Sequence, residues 1–138
     1  MSLLLLLVAA NQRMAQLVER ELAADGVEAN DYGALSLIGV RGEMRLTELA
    51  AELGMPLTTA SDVARRLESR GHVRRRPNPS DGRSFLFELT ARGDREWRRG
   101  WGALQRVNEQ LARHVDFDDM REALTSLGSA FERALTDV

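Results

Sequence analysis

The chain has 138 residues, 43% of them hydrophobic and 29% charged, with no Cys and a formal net charge of −2. This length predicts one domain with its own core, alone or with appended helices, and the lack of Cys excludes a disulfide scaffold, a thiolate zinc site and a catalytic thiol. With two His in the whole chain, we expect neither a metal site nor a cofactor. A net negative charge also argues against nucleic acid, because phosphate binding needs clustered basic residues.

The charge is distributed unevenly along the chain. All 19 basic residues are Arg, and residues 65–99 contain 11 of them against 5 acidic residues, a net +6. Residues 1–64 contain 4 against 9, a net −5, and residues 100–138 contain 4 against 7, a net −3. A basic block between two acidic, apolar segments indicates a polyanionic partner despite the negative total.

An unbroken apolar run from Leu3 to Ala10 opens the chain. No basic residue precedes it, as a secretory signal would require, and it is shorter than the roughly 20 residues of a membrane-spanning helix. We therefore expect a cytoplasmic protein that does not contact a membrane. Apolar residues continue at helical spacing to Asp25-Gly26, which predicts one long helix whose apolar start must be buried against something.

The next segment predicts a second helix and a short extended piece. Asn30 or Asp31 is a suitable N-cap for a helix that runs to about Val40. An Arg-Gly-Glu break follows this helix, and Met44–Leu46 is then expected to be extended.

Two further helices follow with a connection of about three residues. Thr47 is predicted to cap the first, which ends at Gly54, and the second begins near Pro56 and stops at Gly71. So short a connection is typical of a helix-turn-helix motif. The buried stripe of the second helix is predicted to be Ala60, Val63, Ala64 and Leu67.

After Gly71 the hydrophobic period changes from helical to alternating. Residues 72–76 predict one strand, residues 77–82 (PNPSDG) are rich in turn formers, and Phe85, Phe87 and Leu89 alternate with Leu86 and Glu88 on a second strand. These segments predict a β-hairpin with a long basic tip.

Two long helices are predicted to complete the chain. Thr90 caps a helix that reaches about His114, and Asp116 begins the last helix. Their apolar stripes are Trp97, Trp101, Leu104, Val107 and Leu111 on the first, and Met120, Leu124, Leu127, Phe131 and Leu135 on the second.

The order of elements predicts a mainly α (α+β) fold, a winged helix-turn-helix over residues 30–90. Residues 1–29 and 91–138 bring apolar stripes that this module cannot cover, and no flexible linker separates the three segments. The simplest cover is the same helices of a second copy. A two-fold dimer would set two recognition helices in successive major grooves, roughly 34 Å apart, and predicts a palindromic DNA site.

Three stretches resemble the MarR family of bacterial transcription regulators: LTELAAELGM, ARRLESRGHVRRR and SDGRSFLFELTARG. The most specific element is the D-x-R of the wing with the L-T-x-x-G that follows, here Asp81, Arg83, Leu89, Thr90 and Gly93. The resemblance implies a homodimer held by the terminal helices, a recognition helix in the major groove and a wing in the minor groove. It also implies a repressor that a small anionic aromatic ligand releases from DNA.

The exposed face of the predicted recognition helix is the first candidate DNA contact. Arg65 can reach guanine, and Asp62 can accept from a cytosine amine or pair with an arginine and aim it. The hydroxyls of Thr58 and Thr59 either contact DNA or cap the helix. The arginines either contact DNA or lie in solvent, and the basic hairpin that follows favours contact. The candidates are Thr58, Thr59, Ser61, Asp62, Arg65, Arg66 and Ser69.

Three consecutive arginines lead into the wing, so their side chains must alternate between the two faces of the strand. Arg75, on the face of Val73, resembles the structural arginine of the family. Arg74 and Arg76, on the other face, are predicted to bind phosphate, although a merely solvated basic hairpin is the alternative.

The tip of the wing supplies the remaining DNA-binding candidates, which are Ser80, Asp81 and Arg83. Asp81 and Arg83 are expected to form an ion pair that presents the guanidinium to a narrow minor groove, where Arg is favoured electrostatically.

A ligand pocket is harder to predict. Trp97 and Trp101 lie one turn apart and either pack in a core or dimer interface or line a crevice with Tyr32 and Arg13, in which Arg13 would neutralise a carboxylate. Gly100 inside the predicted helix indicates a kink or the close approach of another backbone.

Other classes of function fit the sequence less well. We expect no enzyme, because the chain has no nucleophile with its base, no motif of paired carboxylates and no phosphate-binding loop. The alternative is a winged-helix module for protein association without specific DNA binding. Such a module does not need Arg on both the recognition helix and the wing tip, so the sequence favours duplex DNA as the partner.

Overall fold

The computed structural model describes residues 1–137, which are mostly helical with one small sheet. The predicted order of elements is confirmed. The helices are α1 (Leu3–Ala24), α2 (Tyr32–Arg41), α3 (Leu46–Leu53), α4 (Leu57–Ser69), α5 (Ala91–Ala112) and α6 (Phe117–Thr136), and the strands are β1 (Glu43–Arg45), β2 (Val73–Asn78) and β3 (Asp81–Leu89).

Three helix ends follow the predicted capping chemistry. The connection between α3 and α4 begins at Gly54, which adopts φ +65° as a left-handed C-cap. Thr90 Oγ1 accepts a hydrogen bond of 3.0 Å from the backbone N–H of Gly93 at the start of α5. The carboxylate of Asp116 accepts from two backbone N–H groups of the first turn of α6.

The predicted cap at Thr47 is wrong, and the one at Asp31 is confirmed in position only. Helix α3 begins one residue before Thr47, because Arg45 occupies the N-cap position and its backbone N–H donates to Glu48 Oε1 at 3.0 Å. Asp31 stands at the N-cap of α2, but it has φ +66° and its side chain makes no cap hydrogen bond. Its carboxylate is instead bound to Arg66 of α4.

The sheet is antiparallel with the strand order β1-β3-β2. Phe87 of the central strand pairs with Met44 on one side and Arg75 on the other. The predicted long basic tip is wrong, because β2 extends to Asn78, β3 begins at Asp81 and the turn is short. Arg74, Arg75 and Arg76 lie along β2, and Arg83 lies next to the turn, at the tip of the wing.

The core of the helix-turn-helix lies where α1 to α4 meet the sheet. The largest fully buried side chains are Leu22, Leu35, Ile38, Leu49 and Leu67. The predicted stripe of α4 is confirmed, since Ala60, Val63, Ala64 and Leu67 are all buried. This burial fixes which face of α4 is left for a partner.

A second packing contact joins Tyr32 of α2 to Trp97 and Gly100 of α5. The Tyr32 hydroxyl donates to the Trp97 carbonyl oxygen at 2.5 Å. A Cβ at Gly100 would lie 2.5 Å from atoms of the Tyr32 ring. The close approach that was predicted at Gly100 is therefore real, but the group that approaches is an aromatic ring and not another backbone.

The chain forms two compact units, residues 1–104 and residues 105 onward. The first contains α1 to α4, the sheet and the start of α5, and the second contains the rest of α5 and α6. Each leaves apolar side chains exposed, among them Leu3, Leu4, Leu5, Leu6 and Val8 of α1 and Met120, Leu124, Phe131 and Leu135 of α6. Within residues 1–137, no helix combines the length and apolarity needed to cross a membrane.

Candidate nucleic-acid interface

Helix α4 and the β2-β3 wing enclose a cleft of about 480 Å³. Its walls include Ser61, Arg65 and Glu68 of α4 and Arg75, Asp81 and Phe85 of the wing. The structure thus brings residues from both predicted DNA-binding elements to one surface.

The N-terminal turn of α4 leaves its hydroxyl groups uncommitted. The N-cap position belongs to Pro56, and no side chain caps the helix. Thr58 and Thr59 are exposed. The capping alternative for these two threonines is therefore wrong.

Asp62 and Arg65 form a pair on the exposed face of α4. Arg65 Nη1 donates to Asp62 Oδ1 at 3.0 Å, and the two side chains are 72% and 55% exposed, respectively. Exposed pairs of this kind contribute about 0–1 kcal/mol, so a phosphate or a guanine edge can replace Asp62 as the acceptor for Arg65. Asp62 therefore orients Arg65 without locking it.

Arg66 is held on the other side of α4. Its Nε and Nη2 donate to the two carboxylate oxygens of Asp31 at 2.8 and 2.9 Å. Arg70 adds an ion pair of 3.3 Å to the same carboxylate, which is 9% exposed. The hydrogen bond from Arg66 lowers the pKa of Asp31 below its usual value. Ser69 is exposed on the same helix.

The outer face of the wing carries two of the predicted phosphate ligands, and both are paired. Arg74 Nε donates to Glu88 Oε1 at 2.8 Å, and Arg76 Nε donates to Glu88 Oε2 at 3.1 Å. Arg76 also binds Glu43 of β1. The hydrogen bond from Arg74 is the main reason that the pKa of Glu88 is lowered.

Arg75 lies on the opposite face of β2, as the alternation predicted. Val73, on the same face, is buried. The Arg75 guanidinium lies 5.1 Å from the centroid of the Phe85 ring and 3.4 Å from Glu68 Oε1. Arg75 therefore links the wing to α4.

The ion pair expected between Asp81 and Arg83 is not formed. Asp81 Oδ1 accepts instead from the backbone N–H of Arg83 at 3.0 Å, because an Asp two residues before an N–H readily closes an Asx turn. Arg83 is exposed, and within residues 1–137 its guanidinium has no carboxylate partner. The backbone N–H of Ser80 donates to Asn78 Oδ1 in the same turn.

The pairing of Asp62 with an arginine is confirmed, but the other carboxylates that bind the arginines were not predicted from the sequence. Among the arginines between residues 65 and 83, all except Arg83 have such a partner in the part of the chain that is described. The Arg74–Glu88 pair was open to prediction, because the hairpin sets these residues opposite each other. Asp31 precedes Arg66 by 35 residues, and no local pattern joins them.

Two of the four candidates for a ligand pocket, Trp97 and Trp101, line the same cleft. Trp97 and Trp101 pack edge to face, 6.3 Å between ring centroids, and line a cleft of about 510 Å³ with Gly39, Val40 and Arg98. The other two candidates do not line this cleft: Tyr32 is buried in the core, and Arg13 of α1 is not among the lining residues. The Trp97 Nε1 atom is buried and has no hydrogen-bond partner in the described chain.

Residues 27–85, which run from within the α1-α2 loop into β3, match the sequence model of the MarR family. Over these residues the chain is similar to the MarR family. It is also similar to a solved probable transcriptional regulator from Pseudomonas aeruginosa, with 28% identity, a TM-score of 0.80 and coverage of 91% of this chain and 96% of that one. The resemblance to the MarR family and the predicted winged-helix fold are therefore confirmed.

Several of the similar structures contain DNA. A mutant E. coli MarR complexed with operator DNA is 25% identical, with a TM-score of 0.76 and coverage of 91% of this chain and 90% of that one. The M. tuberculosis regulator MOSR in complex with DNA is 24% identical, with a TM-score of 0.85 and coverage of 97% and 98%, and supports the fold alone. No curated protein matches the chain significantly. The family model and the similar structure from Pseudomonas aeruginosa both indicate the fold of a transcription regulator.

Proposed function

We propose that the protein is a transcriptional repressor that binds a palindromic duplex operator as a homodimer. Helix α4 enters the major groove and the wing enters the minor groove. The observation that carries this proposal is the cleft between α4 and the wing, on which both elements present exposed basic groups. Arg65 is 72% exposed at the cleft wall, and Arg83 is exposed and unpaired in the described chain at the tip of the wing.

The dimer is proposed to form through residues 1–29 and 91–138, and residues 30–90 to bind DNA. The exposed apolar side chains of α1 and α6 support this division, because apolar faces of this kind are stable only when covered. Two-fold symmetry of the protein then requires two-fold symmetry of the operator. A DNA-binding regulator of this kind acts on the chromosome, which places it in the cytoplasm.

We also propose that a small aromatic acid releases the protein from DNA by binding the cleft lined by Trp97, Trp101 and Arg98. Two aromatic walls and one guanidinium suit a ring that carries a carboxylate. 4-Hydroxybenzoate and benzoate should raise the melting temperature in a dose-dependent way, and Arg98→Gln should reduce that rise. Equal shifts in the Arg98→Gln variant, or no shift with either acid, would contradict this site.

The proposed DNA binding is tested by selecting duplexes from a random-sequence pool with the wild-type protein. We expect enrichment of one motif with two-fold symmetry, whose affinity falls steeply with salt because counterions are released. A flat salt dependence would contradict phosphate binding. Failure to enrich any duplex would instead favour the protein-association module. The enriched sequence is called the selected duplex below.

A further inference from the structure

Asp31 has a backbone conformation that needs an explanation. Its φ of +66° is the only positive φ of a non-glycine residue in the described chain. Asp and Asn tolerate this left-handed region better than most residues, but it persists only where the surroundings impose it. Capping of α2 does not offset the conformational strain, because the Asp31 side chain makes no cap hydrogen bond to α2.

The carboxylate of Asp31 instead binds one side of the recognition helix. Arg66 meets it with two hydrogen bonds, and Arg70, one turn later, adds an ion pair and a hydrogen bond of 3.1 Å to the Asn30 carbonyl oxygen. Residues four apart lie on the same side of an α-helix, so both arginines hold the same edge of α4. We call Asp31, Arg66 and Arg70 the Asp31 clamp.

The opposite edge of α4 faces the wing. Arg65 and Glu68 line the cleft, and Glu68 pairs with Arg75 of β2. Helix α4 is therefore held from both edges, and the strip between them, which includes Asp62, is left exposed. A rotation of α4 about its axis would have to break contacts on one edge.

We propose that Asp31 is a positioning residue for DNA recognition, which sets the rotation of α4 through Arg66 and Arg70 without any contact between the clamp and DNA. This inference rests on the proposed function. It replaces the expectation that Arg66 contacts DNA directly.

The surroundings of Asp31 favour a fixed clamp over an exchange of partners. Its side chain is 9% exposed, so moving Arg66 to a phosphate would leave a nearly buried carboxylate without its bidentate partner. The two hydrogen bonds also hold the pKa of Asp31 below, and that of Arg66 above, the usual values, as expected for a stable charged pair.

The test compares Asp31→Asn, Arg66→Gln and the double variant. Asn retains the shape and the tolerance of positive φ but removes the charge. Glu52→Gln is the matched control, because it breaks the exposed Arg41–Glu52 pair on other helices. Affinity is measured for the selected duplex and for a scrambled duplex of the same composition, over a range of salt, at a temperature where melting curves show every variant folded.

Each single variant should lose about tenfold in affinity for the selected duplex. The double variant should lose no more than Asp31→Asn alone, because Asp31→Asn already removes the pair with Arg66. Affinity for the scrambled duplex and the salt slope should not change, and Glu52→Gln should behave as wild type.

Several results would overturn the clamp. If Arg66 binds phosphate, Arg66→Gln will lower the salt slope by about 0.9 for each contact and will weaken scrambled duplex binding equally. Additive losses, or variants that bind as wild type does, would show that Asp31 does not act through Arg66. Wild-type protein that binds no duplex would refute the proposed function and this inference together, whereas a failure of the clamp alone leaves wild-type binding intact.

Discussion

Replacement of Arg83 by Ala should weaken operator binding without changing the fold. The Arg83 guanidinium has no carboxylate partner within residues 1–137, so its loss breaks no ion pair and the melting temperature should stay within the error of wild type. One arginine contact to DNA is worth about 1–3 kcal/mol. A dimer has two wings, so the expected loss is about 2–6 kcal/mol, or at least roughly 30-fold in Kd.

Arg74→Ala is the matched control in the same hairpin. Arg74 is bound to Glu88, which retains Arg76 as a partner after the substitution. We expect Arg74→Ala to cost only a few fold in affinity. Fluorescence anisotropy with the selected duplex measures both variants, and sedimentation checks that both stay dimeric. Equal losses for the two variants, or dissociation of the Arg83→Ala dimer, would refute the assignment of Arg83 to the DNA-contacting tip.

Two further predictions concern stability. Gly100→Ala should lower the free energy of unfolding by about 1–3 kcal/mol, because its Cβ would overlap the Tyr32 ring, whereas Gly33→Ala, with open space at its Cβ, should be neutral or stabilising by up to about 1 kcal/mol. Denaturant unfolding at one protein concentration measures both, and a stabilising Gly100→Ala would contradict the packing. Burial holds the pKa of His72 below its usual value of 6.5, so the unfolded chain takes up a proton first as the pH falls. The stability that neutral His72 contributes is complete above pH 6.5 and declines as the pH falls towards the folded pKa. The melting temperature should drop between pH 7.5 and 5.5, and it should drop less in His72→Gln.

The fold was open to prediction because its signals are local. The stripe from Ala60 to Leu67 repeats at helical spacing, and the caps at Thr90 and Asp116 act within one turn. Helix starts that depend on backbone geometry were predicted less well. Arg45 has no capping side chain, and α3 nevertheless begins directly after it.

The site was only partly predictable, because partners of charged groups are chosen by the fold. Spacing placed Arg66 on the exposed face of α4 but did not show that Asp31 would bind it. The same limit applies to Asp81, whose carboxylate accepts from the backbone N–H of Arg83 instead of pairing with the Arg83 guanidinium. The net charge of +6 over residues 65–99 therefore overestimates the number of DNA contacts, because most of the arginines in α4 and the wing are already paired with carboxylates.

The most direct test is a hydroxyl-radical footprint of the wild-type protein on the selected duplex. Two wings and two α4 helices related by a two-fold axis should protect two sets of positions, symmetric about the centre and about 10 base pairs apart between half-sites. A single asymmetric protected region, or no protection under conditions where the dimer is folded, would contradict the account of this protein as a dimeric winged-helix regulator of duplex DNA.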